Sequence, residues 1–204
     1  MFSIRFQVSA ILVMLAGLLI LLPDSRQSSG ELDVHGMLEA MNESGQYLSV
    51  DQVARMVVYE DTSILLVDVR DPDAYRAVHI PGAINIPVSD ILNPDWSGYL
   101  NDTAVKPVFY SNGNTMASEA WMLCTQKGYT RSLIMMGGMN EWYREVMEST
   151  YTGERISAAE NATFEIRYRA RDFFIRMNSM PDSMKTAFLE VKRNKEAELV
   201  GGCE

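Results

Sequence analysis

The chain of 204 residues carries 18 Lys and Arg against 27 Asp and Glu, a formal net charge of −9, with 47% hydrophobic residues. That is enough chain for one packed domain with attachments, and the acidic balance excludes a nucleic-acid binder built on phosphate contacts. Two cysteines, Cys124 and Cys203, make neither a disulfide framework nor a zinc spacing, and two distant histidines, His35 and His79, do not suggest a metal site, so no metal and no cofactor is expected.

Val8 to Leu22 is an uninterrupted run of apolar and small residues. With Phe6 and Gln7 it reaches about 17 residues, the short end of a bilayer span. Arg5 precedes it and acidic residues follow, which predicts an amino terminus in the cytoplasm and the remainder outside. The expectation is a signal anchor, because Pro23 to Gln27 offers no small-residue cleavage site. A cleaved signal peptide with a secreted product is the alternative, and a buried helix the third reading. Arg26 to Gly30 reads as a polar linker.

Amphipathic spacing of Val34, Met37, Leu38 and Met41 predicts a helix broken at Ser44-Gly45. Ser49 is placed to cap a second helix whose face is Val53, Met56 and Val57. Ile64 to Val67 reads as a buried parallel strand ending at Asp68-Val69-Arg70. A short helix follows at Pro72 to Ala77, then a strand at Ile84 to Ile86 and a helical or looped segment made of Asp90 to Leu92 and Trp96 to Leu100. Pro107 to Tyr110 reads as a strand, Ser111 to Thr115 as a polar loop, and 116–127 as a helix ended by Gly128. Ser132 to Met135 predicts one more strand before Gly137-Gly138 and a helix carrying Trp142. Strands alternating with helices predict a parallel α/β sheet. The loop amides and the first-turn N–H groups of the following helix predict an anion cradle.

At these landmarks the stretch Leu48 to Val146 resembles a rhodanese-like domain. Leu66 to Arg70 is similar to the family's D-x-R strand end, and His79 to Pro87 to its H-I-P-G-A-x-N-I-P turn. Gly128-Tyr129 and Gly137-Gly138-x-x-x-Trp142 resemble its later landmarks. The resemblance implies a three-layer parallel sheet flanked by helices. With the flanking readings, the expected organisation is an N-terminal transmembrane helix and linker over 1–30, the domain over 31–148, and a helical hairpin with a flexible tail over 149–204.

The resemblance also assigns the loop. The family's catalytic cysteine lies seventeen residues before the helix-ending glycine, which puts Ser111 at its position. The arginine that closes the family's loop falls at Met116, and a glycine before the histidine motif is Val78. Sulfur transfer needs a thiolate lowered in pKa by a cradle of N–H groups. Serine has no sulfur to load, and methionine removes the bidentate clamp on an oxyanion. His79 is read as structural rather than as a base. The loop Ser111, Asn112, Gly113, Asn114 and Thr115 is therefore a candidate ligand-binding loop, for a small anion or a peptide carboxylate, without sulfurtransferase activity. Cys124 is read as a small buried hydrophobe. Cys203, in a glycine-flanked tail, is the candidate thiol of an alternative, a sulfur-relay enzyme.

Beyond Thr150, Ile166, Ala170, Phe173, Phe174 and Met177 predict one apolar helix face. A second helix is expected from Pro181, with Met184, Ala187, Phe188 and Val191 on its face. The hairpin is read either as packed on the domain with its arginines solvated or paired to acids, or as a partner- or lipid-headgroup-binding arm. The combined expectation is a single-pass membrane protein held by residues 6–22. It exposes a rhodanese-like binding or scaffold module to the periplasm or the extracellular side, with a possible protein partner at the C-terminal arm.

Overall fold

The computed structural model describes residues 44–150, 157–181 and 183–184, together with Met14. In chain order the elements are β1 (Tyr47–Leu48), α1 (Val50–Val58), β2 (Ile64–Asp68), α2 (Pro72–Ala77), β3 (Ile84–Asn85), α3 (Ser97–Leu100), β4 (Lys106–Tyr110), α4 (Thr115–Gln126), β5 (Leu133–Met135), α5 (Gly138–Trp142) and α6 (Ala158–Ser179). Single 3-10 turns at Val88–Asp90 and Pro94–Trp96 precede α3, and α5 runs on into one π-turn at Tyr143–Met147.

The five strands lie in the order β1-β5-β4-β2-β3, every pair parallel. Alternation along the strands divides the core. Leu66, Val108, Tyr110 and Met135 point to one face, where α1, α5 and α6 cover them. Val67, Phe109 and Ile134 point to the other, beneath α4. This is the expected α/β parallel sheet with helices on both faces.

Local chemistry explains the helix starts. Ser49 and Gln52 form a reciprocal capping box at α1, and Ser157 and Glu160 form another at α6. Strand β1 was not expected from its two residues. It exists through pairing with β5, Tyr47 opposite Ile134 and Leu48 opposite Met135, a contact that no local pattern encodes. The helix expected around Val34 to Met41 falls outside the described residues.

The membrane-anchored expectation is corrected here. Among the described residues no helix is long and apolar enough to cross a membrane. The anchor expected at residues 6–22 lies outside the described residues apart from Met14. With Phe6 and Gln7 the run of about 17 residues would reach roughly 25 Å as a helix, against about 30 Å of bilayer hydrocarbon. The transmembrane helix, the single-pass topology, the periplasmic or extracellular location with its secreted alternative, and the membrane as partner are accordingly not carried further.

Helix α6 is packed on the domain. Ile166, Ala170, Phe174 and Met177 are buried, and the first three belong to the same core cluster as Val50, Val53, Tyr110 and Trp142. Arg167 forks onto Asp51 of α1 at 2.6 and 2.7 Å and reaches Glu145 at 2.7 Å. The Asp51 hydrogen bonds hold the Arg167 guanidinium above its ordinary pKa. Arg171 donates to the carbonyls of Met147 and Ser149. These two arginines bind the chain's own domain. Of the second expected helix, only its first residues, Ser183 and Met184, are described as helical.

Candidate functional site

Strand β4 is the central strand of the sheet, and its buried run delivers the chain to the carboxyl edge at Tyr110. Ser111, Asn112, Gly113 and Asn114 then turn the chain into α4. The structure thus brings together the residues expected in the loop, Ser111 to Thr115, with Met116 exposed in the first turn of α4.

Ser111 is 2% exposed, and its Oγ donates to the Gly113 carbonyl at 2.7 Å. The acceptor is an amide oxygen, which cannot take the proton away as a base would. A carbonyl lone pair therefore faces the atom position at which the family carries its nucleophile. An anion or thiolate there would meet that dipole with the wrong sign.

The loop's other oxygens are tied to neighbouring elements. Ser111 O accepts from Met139 N at 2.8 Å, and Asn112 O from Asn140 N at 3.0 Å. Asn114 Oδ1 accepts from Gly137 N at 2.6 Å. Asn114 stands at the N-cap position of α4 with its side chain turned away from capping, so the first-turn N–H groups have no side-chain cap.

The close approach of α5 depends on Gly138. It adopts φ +58°, and a Cβ there would lie 2.3 Å from Ser111 O and 2.9 Å from both Asn112 C and Gly113 N. These are backbone atoms of the loop, which cannot swing aside as a flexible side chain does. Gly138→Ala is expected to lower the unfolding free energy by about 2–3 kcal/mol. It should also displace the loop. Urea denaturation checks the first effect, and amide chemical shifts of Ser111 to Thr115 check the second.

Behind the loop lies a buried ion pair. Asp68, at the end of β2, is 0% exposed and Arg70 is 5% exposed. Arg70 Nη2 and Nε bond the Asp68 carboxylate at 2.6 and 2.9 Å. The remaining donors are shared, with Nη2 also donating to Val78 O at 2.7 Å and Nη1 to Asn112 Oδ1 at 3.3 Å. Burial works against the Arg70 charge, but the Asp68 hydrogen bonds and charge outweigh it and leave its pKa raised. Asn85 donates to the carbonyls of Asp68 and Arg70. The buried Tyr110 hydroxyl accepts from Ile80 N at 3.2 Å. Burial, reinforced by the Asp68 charge, pushes the Tyr110 phenol well up. Sequence reading identified Asp68 and Arg70 as a landmark but missed Arg70's contact with the loop.

His79 has the structural place expected of it. Its ring stacks on Tyr75 with centroids 4.0 Å apart, and Nδ1 lies 2.8 Å from the Tyr75 carbonyl oxygen. Cys124 is fully buried beneath the sheet, and burial pushes its thiol up from 9.0 to about 12. It is a core residue rather than a nucleophile. Cys203, the candidate thiol of the relay reading, lies outside the described residues. Among the described residues no group of His, Cys, Asp and Glu is placed to hold a metal.

A five-stranded parallel sheet, a D-x-R pair under the central loop and a glycine pair closing over it define the rhodanese-like class of α/β domain. The model of the rhodanese-like domain family matches residues 49–145. The thiosulfate:glutathione sulfurtransferase of Saccharomyces cerevisiae is 31% identical over 107 residues, covering 48% of this chain and 77% of that protein. The centrosomal protein of 41 kDa from Gallus gallus is 30% identical over 130 residues, covering 61% of this chain and 33% of that protein. The chain thus spans about a third of the length of that second relative. Among solved structures, an uncharacterised Saccharomyces cerevisiae protein is similar at 28% identity with a TM-score of 0.45, covering 54% of this chain and all of that one. The chain belongs to the rhodanese-like domain family, with serine in place of the loop cysteine that the family uses. That substitution is consistent with reduced or absent sulfurtransferase activity.

Proposed function

We propose that this protein is a non-catalytic rhodanese-like binding module. Its Ser111–Thr115 loop takes an acceptor group of a ligand or partner, a small anion or a peptide carboxylate, on the uncapped N–H groups of α4. The observation that carries the reading is the hydrogen bond from Ser111 Oγ to the Gly113 carbonyl. Serine in place of cysteine removes the thiol, and this bond turns the remaining hydroxyl onto a carbonyl. A helix N-terminus favours a negative group by about 0.3–1 kcal/mol. That magnitude suits weak docking and falls well short of what carries a group-transfer step.

The names of the two curated relatives support a choice between two roles in the family, a sulfurtransferase and a centrosomal protein. The loop of this chain favours the non-enzymatic one. Met116 reinforces this, because an uncharged side chain occupies the position from which the family clamps an oxyanion.

The test is a sulfurtransferase assay on the full chain with thiosulfate and with a persulfide donor. The parent is expected to be silent. Ser111→Cys alone is expected to stay at least about a hundredfold below Ser111→Cys/Met116→Arg, since a missing preorganised charge contact is worth about 10²–10³ in rate. Turnover by the parent would overturn the reading. Full activity from Ser111→Cys alone would show that the Gly113 carbonyl is no obstacle and that the cradle is intact.

A further inference from the structure

We propose that Asn178, in the last turn of α6, is a positioning residue for the Ser111–Thr115 loop, so that the docking of this helix end sets the form the loop presents. The proposal rests on the reading of the loop as a binding site and extends it to how that site is held.

The Asn178 carboxamide reads the backbone of one distant residue from both sides. Its Oδ1 accepts from His79 N at 3.1 Å, and its Nδ2 donates to His79 O at 2.9 Å. Nδ2 also donates to Phe174 O at 2.9 Å, one turn back on its own helix. All three bonds require the same orientation of the amide, which fixes it. The 78–79 peptide is thereby held between α6 and the residue behind it.

That residue is Arg70. Its Nη2 donates to Val78 O at 2.7 Å, while Nη1 of the same guanidinium donates to Asn112 Oδ1 at 3.3 Å. The guanidinium is rigid and planar, so its two ends move together about the Asp68 carboxylate that anchors it. If the Val78 carbonyl shifts, Nη2 loses its second acceptor, the plane turns, and Nη1 leaves Asn112. A continuous hydrogen-bonded path therefore runs from Asn178 through His79 and Val78 to Arg70 and Asn112. It crosses three separate segments of the chain. Release at the Asn178 end need not free the helix, because Arg167 and Arg171 hold its earlier turns.

The experiment is amide hydrogen exchange on the full chain without ligand, comparing the parent with Asn178→Ala and Asn178→Asp. The aspartate keeps an acceptor for His79 N but sets a carboxylate against the carbonyls of His79 and Phe174. Loop anchorage is read at the amides of Gly137, Met139 and Asn140, which donate to Asn114, Ser111 and Asn112 respectively. Both variants are expected to exchange at these amides roughly fivefold to tenfold faster, the effect of one lost hydrogen bond on a local opening equilibrium. The Glu148 amide, which donates to Tyr143 O in the π-turn beneath α6, should be unchanged. So should every amide in Arg176→Ala, whose side chain pairs with Asp172 on the exposed face among the described residues. Faster exchange confined to His79 and Ile80 would overturn the proposal. Uniform acceleration, Glu148 included, would overturn it too, by showing a purely structural role. The readout needs no ligand. A loop that binds nothing would fail in a titration with thiosulfate or acetate while leaving the coupling measurable.

Discussion

A chain ending at Thr150 is expected to give no folded monomer. The family match stops at residue 145, yet the core does not. Ile166 and Phe174 are 6% and 3% exposed and lie in one cluster with Val50, Val53, Ala54 and Val57 of α1. Phe174 also meets Trp142 and Tyr143, with ring centroids 6.0 and 5.9 Å apart. Each fully buried large apolar side chain contributes about 1.5–3 kcal/mol. Removing Ile166, Phe174 and Met177 and uncovering the α1 face beneath them consumes most of the ~5–15 kcal/mol by which a domain is stable. Loss of the Arg167 pair with Asp51 and Glu145 adds to this. Circular dichroism and size-exclusion chromatography of the truncated chain check the expectation. Cooperative unfolding within about 2 kcal/mol of the parent would refute it. Phe174→Ala in the full chain is the milder form, at about 3–5 kcal/mol.

Arg70→Ala is the second large effect. Asp68 has no exposed surface, and alanine would leave its carboxylate buried without a cation. Breaking such a pair from one side costs about 3–5 kcal/mol. The physical cause is desolvation of the surviving charge rather than the pair's own strength. The double variant Asp68→Asn/Arg70→Leu, which leaves no buried charge, is therefore expected to be more stable than Arg70→Ala by about 1–2 kcal/mol. Guanidinium chloride denaturation of the three proteins reads this order directly. If Arg70→Ala costs less than about 1 kcal/mol, the buried pair is not what holds this corner of the sheet. The same variant removes the Val78 and Asn112 contacts, so the loop should loosen together with the end of β2.

Much of the α/β domain was legible in the chain. The buried runs at Ile64–Val67 and Pro107–Tyr110, the Ser49 cap and the helix end at Gly128 are local signals, and each lies within a residue or so of the observed element. The absence of the loop cysteine was legible too, through the family resemblance, which places that cysteine seventeen residues before Gly128. β1 was not legible. Two residues carry no period, and only β5 makes them a strand. The membrane reading failed for a related reason, since an apolar run reports hydropathy but not what surrounds it. The arginines of α6 left a packed hairpin and a partner-binding arm both open while their partners were unknown. Asp51 lies 116 positions away from Arg167 in the chain.

The sequence by itself determined the run of elements from α1 to α5, the Ser49 cap, and the absence of a cysteine from the loop. Those depend on side-chain identity and short-range spacing. Only the tertiary structure decided where the loop's dipoles point, that Arg70 reaches Asn112 across 42 positions, and that α6 completes the core and ends on His79. A carbonyl's direction and a guanidinium's second partner follow from how separate segments pack together. No window along the chain contains that information.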